Sequence, residues 1–402
     1  MDDLGVQWNA HPTDQRLRNL TIEWIKGKLE PVVGHVTPRF LASTDVGVTY
    51  TERVYEDSDL ETKVAMVKYV TLAIYLDDLI DKDATAAKKA QTFMFDTLSA
   101  RPIDFDYLEQ YRQASLHLSS LMSDPLAGNM LLHSCTTFIE GCVLEHRNVH
   151  ASGAFFGLCN AGSELEKDHV DEQLAARGFS VPRPLGTDWT VHRSLSAHSW
   201  PTWLRQKSAV AEIFAITSFR GPGGIDIPIH LWVAVLPEMR TIIMYINDML
   251  SLAKELLADD VASYIPVITG ERRQIGAPGS APDGGWCLRD TIEEVYMQIL
   301  STGGRINRLL RPAPEVRYGD GSVRSAAQLV SMLKSDATDE LMKALCLTLW
   351  ETHQKGYFLW HLYSPRYRMH ELFDWVTSGS EGAEWITLHF QQNKRRMPCV
   401  PL

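Results

Sequence analysis

Residues 241–256 carry Asn247, Ser251 and Glu255 at intervals of four inside a mostly apolar stretch. A helix repeats every 3.6 residues, so these three side chains stack on one face, with neighbours about 5–6 Å apart at Cβ. Burying an amide, a hydroxyl and a carboxylate along one stripe is unfavourable unless something pairs with them. Oxygen-only donors suit a hard cation such as Mg²⁺ far better than zinc or copper. The stripe therefore reads as half of a metal site.

The other half is expected at residues 77–81. From Val64 to Leu76 the chain has one charge, Lys68, and one small hydroxyl, Thr71, then ends in Asp77-Asp78-Leu79-Ile80-Asp81. A helix apolar on all sides is a buried central helix. Carboxylates at its C-terminal end oppose the macrodipole by about 0.3–1 kcal/mol each, so they call for a positive guest. Taken singly, an acidic cluster also suits a solvated loop, and an Asn/Ser/Glu trio also suits satisfied core polar groups. Together, each set in an apolar helix, they favour a cation site at the mouth of an apolar cavity.

The run Asp77-Asp78-Leu79-Ile80-Asp81 resembles the aspartate-rich motif of class I terpene synthases. Asn247-Asp248, Ser251, Lys254 and Glu255 resemble their second metal motif, in the form seen in fungal and bacterial sesquiterpene cyclases. Arg366-Tyr367 is similar to the family's C-terminal Arg-Tyr pair. Arg205, 42 residues before Asn247, stands near the place of its diphosphate-sensing arginine. The four elements keep the family's order over residues 77–367, and they resemble the trichodiene synthase branch of fungal enzymes, which includes longiborneol synthase. Three departures stand out: Ala209, preceded by Ser208, replaces a common glycine; Ser364-Pro365 precedes the Arg-Tyr pair; and the intervals between motifs are long.

The resemblance implies an all-α, single-domain helical bundle over residues 1–402 around a central apolar active-site cavity. It implies about three Mg²⁺ ions acting as Lewis acids, held by Asp77 and Asp81 on one side and Asn247, Ser251 and Glu255 on the other. Arg205, Lys254 and Arg366 would donate to diphosphate, Tyr367 would add a hydroxyl, and Asp78 would bind an arginine such as Arg366, not a metal, in the closed state. Trp360, Phe214, Tyr75 and Tyr245 are the candidate substrate-pocket aromatics, able to face a carbocation. The implied reaction is ionisation and cyclisation of farnesyl diphosphate to a cyclic sesquiterpene plus diphosphate. The product would be a hydrocarbon or an alcohol, of the trichodiene or longiborneol kind, and the resemblance allows a homodimer.

Two other functions compete. A chain-elongating prenyl transferase would carry a second aspartate-rich motif in place of the Asn/Ser/Glu stripe. A non-catalytic divalent-metal-binding helical protein accounts for the carboxylates but not for the arginines. A di-iron bundle would need paired Glu-x-x-His elements, and the sequence offers no such pair.

The 402 residues are 45% hydrophobic and 22% charged, a globular composition with material for a large core. A net charge of −11 argues against nucleic-acid partners and anionic membrane surfaces. The first residues lack a signal-peptide pattern, and no apolar run reaches the roughly 18–20 residues of a membrane span. Six cysteines without Cys-x-x-Cys pairs suggest reduced thiols and a cytoplasmic protein.

Three- and four-residue apolar spacing predicts helices at 14–29, 61–81, 107–122, 127–147, 203–219, 229–256, 289–310, 325–332, 338–363 and 385–395. Pro, Gly and small residues predict irregular segments at 33–54, 174–202 and 266–288. The last of these, with Arg272 and Arg273, follows the 241–256 helix closely enough to fold over the mouth or to lie free on the surface.

Overall fold

The computed structural model describes residues 14–159, 200–208, 210–257, 263–274, 288–319, 322–367 and 369. Sixteen α-helices form among them: α1 (Gln15–Trp24), α2 (Glu30–Val33), α3 (Pro38–Val54), α4 (Leu60–Lys82), α5 (Ala84–Ala90), α6 (Phe93–Leu98), α7 (Asp106–Ser120), α8 (Pro125–Cys159), α9 (Trp200–Ser208), α10 (Ala211–Thr217), α11 (Leu236–Leu257), α12 (Tyr264–Gln274), α13 (Leu288–Leu309), α14 (Pro314–Arg317), α15 (Ala326–Leu333) and α16 (Asp339–Tyr363). The only strands among the described residues are two-residue β1 (Tyr318–Gly319) and β2 (Ser322–Val323), paired antiparallel. The expected all-α architecture is therefore observed.

Helix α4 is the axis of the packing. Asp59 caps its start by accepting from Thr62 N, and burial runs along its length from Thr62 to Ile80 on several faces. Asp83 ends it, and the same carboxylate caps α5 by accepting from Thr85 N and Ala86 N. The last acid of the 77–83 run is thus a structural cap. One buried apolar cluster extends from Ile25 in the N-terminal helical segment to Met369, drawing on α3, α4, α7, α8, α10, α11 and α16.

Segment 33–54, expected to be irregular, is mostly the helix α3. Pro38 sits in its first turn, where the missing N–H does no harm, and Thr37 caps it by accepting from Phe40 N. Its small residues mark close packing, because a Cβ on Gly47 would stand 2.6 Å from Thr71 Oγ1 of α4. The helix expected over 203–219 divides between Ser208 and Ala211, with Val210 at ψ 10°. No Gly or Pro signals that division, and Ala209 lies outside the described residues. The helix expected from 229 begins with two 3₁₀ turns, and α-geometry starts at Leu236, beside Pro237.

The expected loop at 266–288 is helical up to Gln274, since Pro266 falls in the first turn of α12. Arg272 does not lie free: it pairs with Glu294 of α13 at 2.8 Å. Residues 275–287, 174–199 and 385–395 lie outside the described residues, while 200–202 open α9. Helices α5 and α6 were not expected.

Candidate active site

Four separate parts of the chain bring the motif residues together: the end of α4, the middle of α11, α9, and the end of α16 with its 3₁₀ turn Pro365–Tyr367. Asp77 is half-buried at the end of α4 and accepts from Cys142 Sγ of α8 at 3.5 Å. Burial raises its pKa above the ordinary value; Arg366 pulls it back, Asp78 adds to the rise, and Lys254 also opposes it. Those influences tie the α4 acids to α11 and to the C-terminal turn. Lys254 Nζ in turn lies 5.7 Å from the centre of the Tyr367 ring.

On α11, Arg205 of α9 reaches two neighbours. Its Nε donates to Asp248 Oδ1 at 2.8 Å and its Nη2 to Asn247 Oδ1 at 2.9 Å. Burial works against the guanidinium's charge, but Asp248, Glu145 and Glu255 raise its pKa beyond the usual arginine value. Asp248 is 5% exposed, and burial pushes its pKa up to about 7, with Arg205 lowering it and Glu255 raising it. Its Oδ2 has no hydrogen-bond partner among the described residues. Ser251 is buried and donates to Glu255 Oε1 at 2.5 Å, as the four-residue spacing predicts.

Asn247 Nδ2 donates to Tyr367 Oη at 3.3 Å and meets His361 Nε2 at 3.0 Å. His361 Nδ1 faces Tyr357 O at 2.8 Å. Burial, together with Lys254 and Arg366, lowers the His361 pKa to about 3, against a smaller opposing effect of the Tyr357 carbonyl. Burial likewise raises Tyr367 above the ordinary tyrosine value.

The remaining expected residues are placed less centrally. Asp78 pairs with an arginine, Arg39 of α3, at 2.8 Å. The Asp81 side chain is exposed, and His146 Nδ1 meets its backbone carbonyl at 3.0 Å. Phe214 and Trp360 share Tyr50, at ring distances of 4.7 and 4.9 Å. Tyr75 packs instead on Phe40 and Tyr107, and Tyr245 stacks on Tyr264.

Sequence reasoning missed Arg39, Tyr50, Cys142, Glu145, His146 and His361. Arg39 and Tyr50 lay in the segment read as irregular. Cys142, Glu145 and His146 belong to a helix that carries no motif. His361 adjoins the Arg-Tyr pair, and its position one helical turn after Tyr357 was the available signal.

The donor chemistry fits a hard cation, since Asp77, Asp81, Asn247, Ser251 and Glu255 offer only oxygen. Among the described residues no three His, Cys, Asp or Glu side chains group closely enough to hold a metal alone. A cation here would need the amide and hydroxyl of α11 and oxygens from a ligand. A cavity of about 460 Å³ lies elsewhere, between α5–α6 and α8, lined by residues such as Met94, Phe95 and Leu144, and no motif residue lines it.

This helical arrangement is the class I terpene synthase fold. Linalool/nerolidol synthase from Streptomyces clavuligerus, solved with 2-fluorogeranyl diphosphate, superposes with a TM-score of 0.52 at 12% identity, covering 90% of this chain and 98% of that one. Alpha-eudesmol synthase superposes with a TM-score of 0.50 at 13% identity, over 89% and 98%. In sequence the chain resembles terpene synthase BipA of Cochliobolus sativus, 25% identical over 221 residues, 55% of this chain and 54% of that protein. The chain thus aligns with about half the length of that relative. It also resembles an alpha-cuprenene synthase of Coprinopsis cinerea, 20% identical over 370 residues, 92% of this chain and 86% of that protein. No family model matches.

Proposed function

We propose that this protein is a Mg²⁺-dependent terpene cyclase that ionises a prenyl diphosphate, farnesyl diphosphate above others, and closes it to a cyclic sesquiterpene. The observation that carries the reading is the approach of Asp77 on α4, Arg205 on α9, Asn247 and Lys254 on α11, and Arg366 in the C-terminal 3₁₀ turn. Likeness to terpene synthases in sequence and fold supports the reaction class. The main apolar core, which runs from Ile25 to Met369, supports one domain, and three free buried cysteines, 135, 142 and 346, support a reducing, cytoplasmic setting.

Asp77, Asp81, Asn247, Ser251 and Glu255 would hold the metal, with Asp248 neighbouring them. When bound, Mg²⁺ supplies Lewis-acid neutralisation of the departing diphosphate. Arg205, Lys254 and Arg366 add fixed positive charge, and guanidinium groups suit bidentate contacts with phosphate oxygens. Asp78 holds Arg39 beside the acids. Trp360 and Phe214, packed with Tyr50, present aromatic faces that stabilise a carbocation by roughly 2 kcal/mol when desolvated, without adding a nucleophile.

Incubation of purified protein and Mg²⁺ with geranyl, farnesyl and geranylgeranyl diphosphates, followed by gas chromatography–mass spectrometry, tests this. A cyclic C15 product from farnesyl diphosphate is expected. Chain-elongated diphosphates would point to prenyl transfer, and no conversion of any of the three would remove the proposal.

A further inference from the structure

One chain of directional hydrogen bonds fixes the chemistry around Asn247. Arginine has no acceptor, so the Asn247 atom 2.9 Å from Arg205 Nη2 is the amide oxygen. The opposite atom is then the NH₂ group, which only donates. His361 Nε2, 3.0 Å away, must therefore be an unprotonated acceptor. The Tyr357 carbonyl only accepts, so the proton of that ring sits on Nδ1, 2.8 Å from it. His361 has 0% exposure and is held between the rings of Tyr357, at 4.5 Å, and Tyr367, at 4.3 Å. It has little freedom to turn.

We propose that His361 is a positioning residue: its Nε2 lone pair holds the Asn247 NH₂ and, with Arg205 at the other end, locks the amide so that the carbonyl oxygen stays on the Arg205 side. This rests on the reading of Asn247 as a metal ligand. A flipped amide would present NH₂, which has no lone pair for a cation. The second partner, Tyr367 Oη at 3.3 Å, cannot choose between the two orientations, because a hydroxyl both donates and accepts. The imidazole can choose, since Tyr357 holds its only proton on the far nitrogen. Groups that orient a ligand in this way typically set metal affinity by about 10–100-fold.

The test reads metal binding without turnover. Binding of Mn²⁺ in the presence of inorganic pyrophosphate is followed by electron paramagnetic resonance for wild type, N247A, H361Q and H361L. Glutamine keeps an acceptor near the Nε2 position, and leucine removes it. In H361L the Mn²⁺ dissociation constant should rise about 10–100-fold, while in H361Q it should stay within about threefold of wild type. An H361L value within about threefold of wild type, or equal losses in two folded variants, overturns the role of the lone pair. Absence of Mn²⁺ binding by wild type removes the metal-site reading and this inference with it; binding that N247A does not weaken overturns the inference alone. Should H361L lack a cooperative melt, ring-¹⁵N histidine spectra of wild type and H361Q decide. Loss of a neutral Nδ1–H tautomer supports the lock, and loss of an Nε2–H or imidazolium signal overturns it.

Discussion

The Arg205–Asp248 pair joins two largely buried charges. Asp248 is 6% and Arg205 19% exposed at the side chain, so removing one partner leaves a charge in poor surroundings. Breaking such a pair typically costs about 3–5 kcal/mol. Protonation limits that loss, because the Asp248 pKa stands at about 7 even with Arg205 lowering it. In R205A it should rise further, while the unfolded chain keeps its ordinary value of 3.8. A carboxyl whose folded pKa is raised weakens the fold as pH climbs from the unfolded value to the folded one. The R205A deficit in melting temperature should therefore be larger at pH 8 than at pH 5, and the double variant R205A/D248N should regain most of it without regaining activity. Equal deficits at the two pH values would show that Asp248 is not the residue left stranded. By contrast, N247A and E255A remove oxygen donors at a half-buried face. Each should lower kcat by about a hundredfold or more with little change in melting temperature, and near-wild-type turnover in both would take these residues out of the metal site.

At the scale of helices, the sequence pattern located α4, α7, α13, α15 and α16 within a residue or two, because α4 is a long apolar run ending in acids, the others repeat apolar residues at three- and four-residue spacing, and most have a side-chain cap. It failed where packing, not periodicity, chose the residues. Helix α3 looked loop-like because Ser43 and Gly47 are small, yet they are small so that α3 can lie against α4. The site was legible in its motif residues, which are ionic or polar where the pattern demands apolar ones. It was illegible in its supports: Arg39, Glu145 and His361 are ordinary residues on helices whose mutual approach only the folded chain defines. Gly356 makes the point testable. A Cβ there would stand 2.0 Å from Arg53 O, a backbone atom of α3 that cannot swing away. G356A should push α16 from α3 and destabilise the fold by about 1–3 kcal/mol or more. Because α16 also carries His361, activity at permissive temperature should fall as well. A urea midpoint equal to that of wild type would mean the two helices separate freely.

Across the whole molecule, the core around α16 is aromatic and contains a histidine, His353, packed among rings. His353 has 0% exposure, stacks on Trp350 at 5.4 Å and Tyr357 at 5.9 Å, and neither ring nitrogen has a hydrogen-bond partner among the described residues. Burial lowers its pKa from 6.5 to about 3, so it is neutral in the folded protein well below the pH at which the unfolded chain protonates it. The sign follows from proton counting: the unfolded state binds the extra proton, so stability present above pH 6.5 is lost as pH falls toward 3. One such group steepens the acid loss by up to about 1.4 kcal/mol per pH unit across that window. Replacing it with phenylalanine keeps an aromatic of similar size between the same two rings and removes the titration. In urea unfolding at a series of pH values, H353F should lose stability more gradually than wild type between pH 6.5 and 3 and match its slope above pH 7. Parallel curves across the acid range would mean that His353 is protonated in the folded core, with a counter-charge or water beside it.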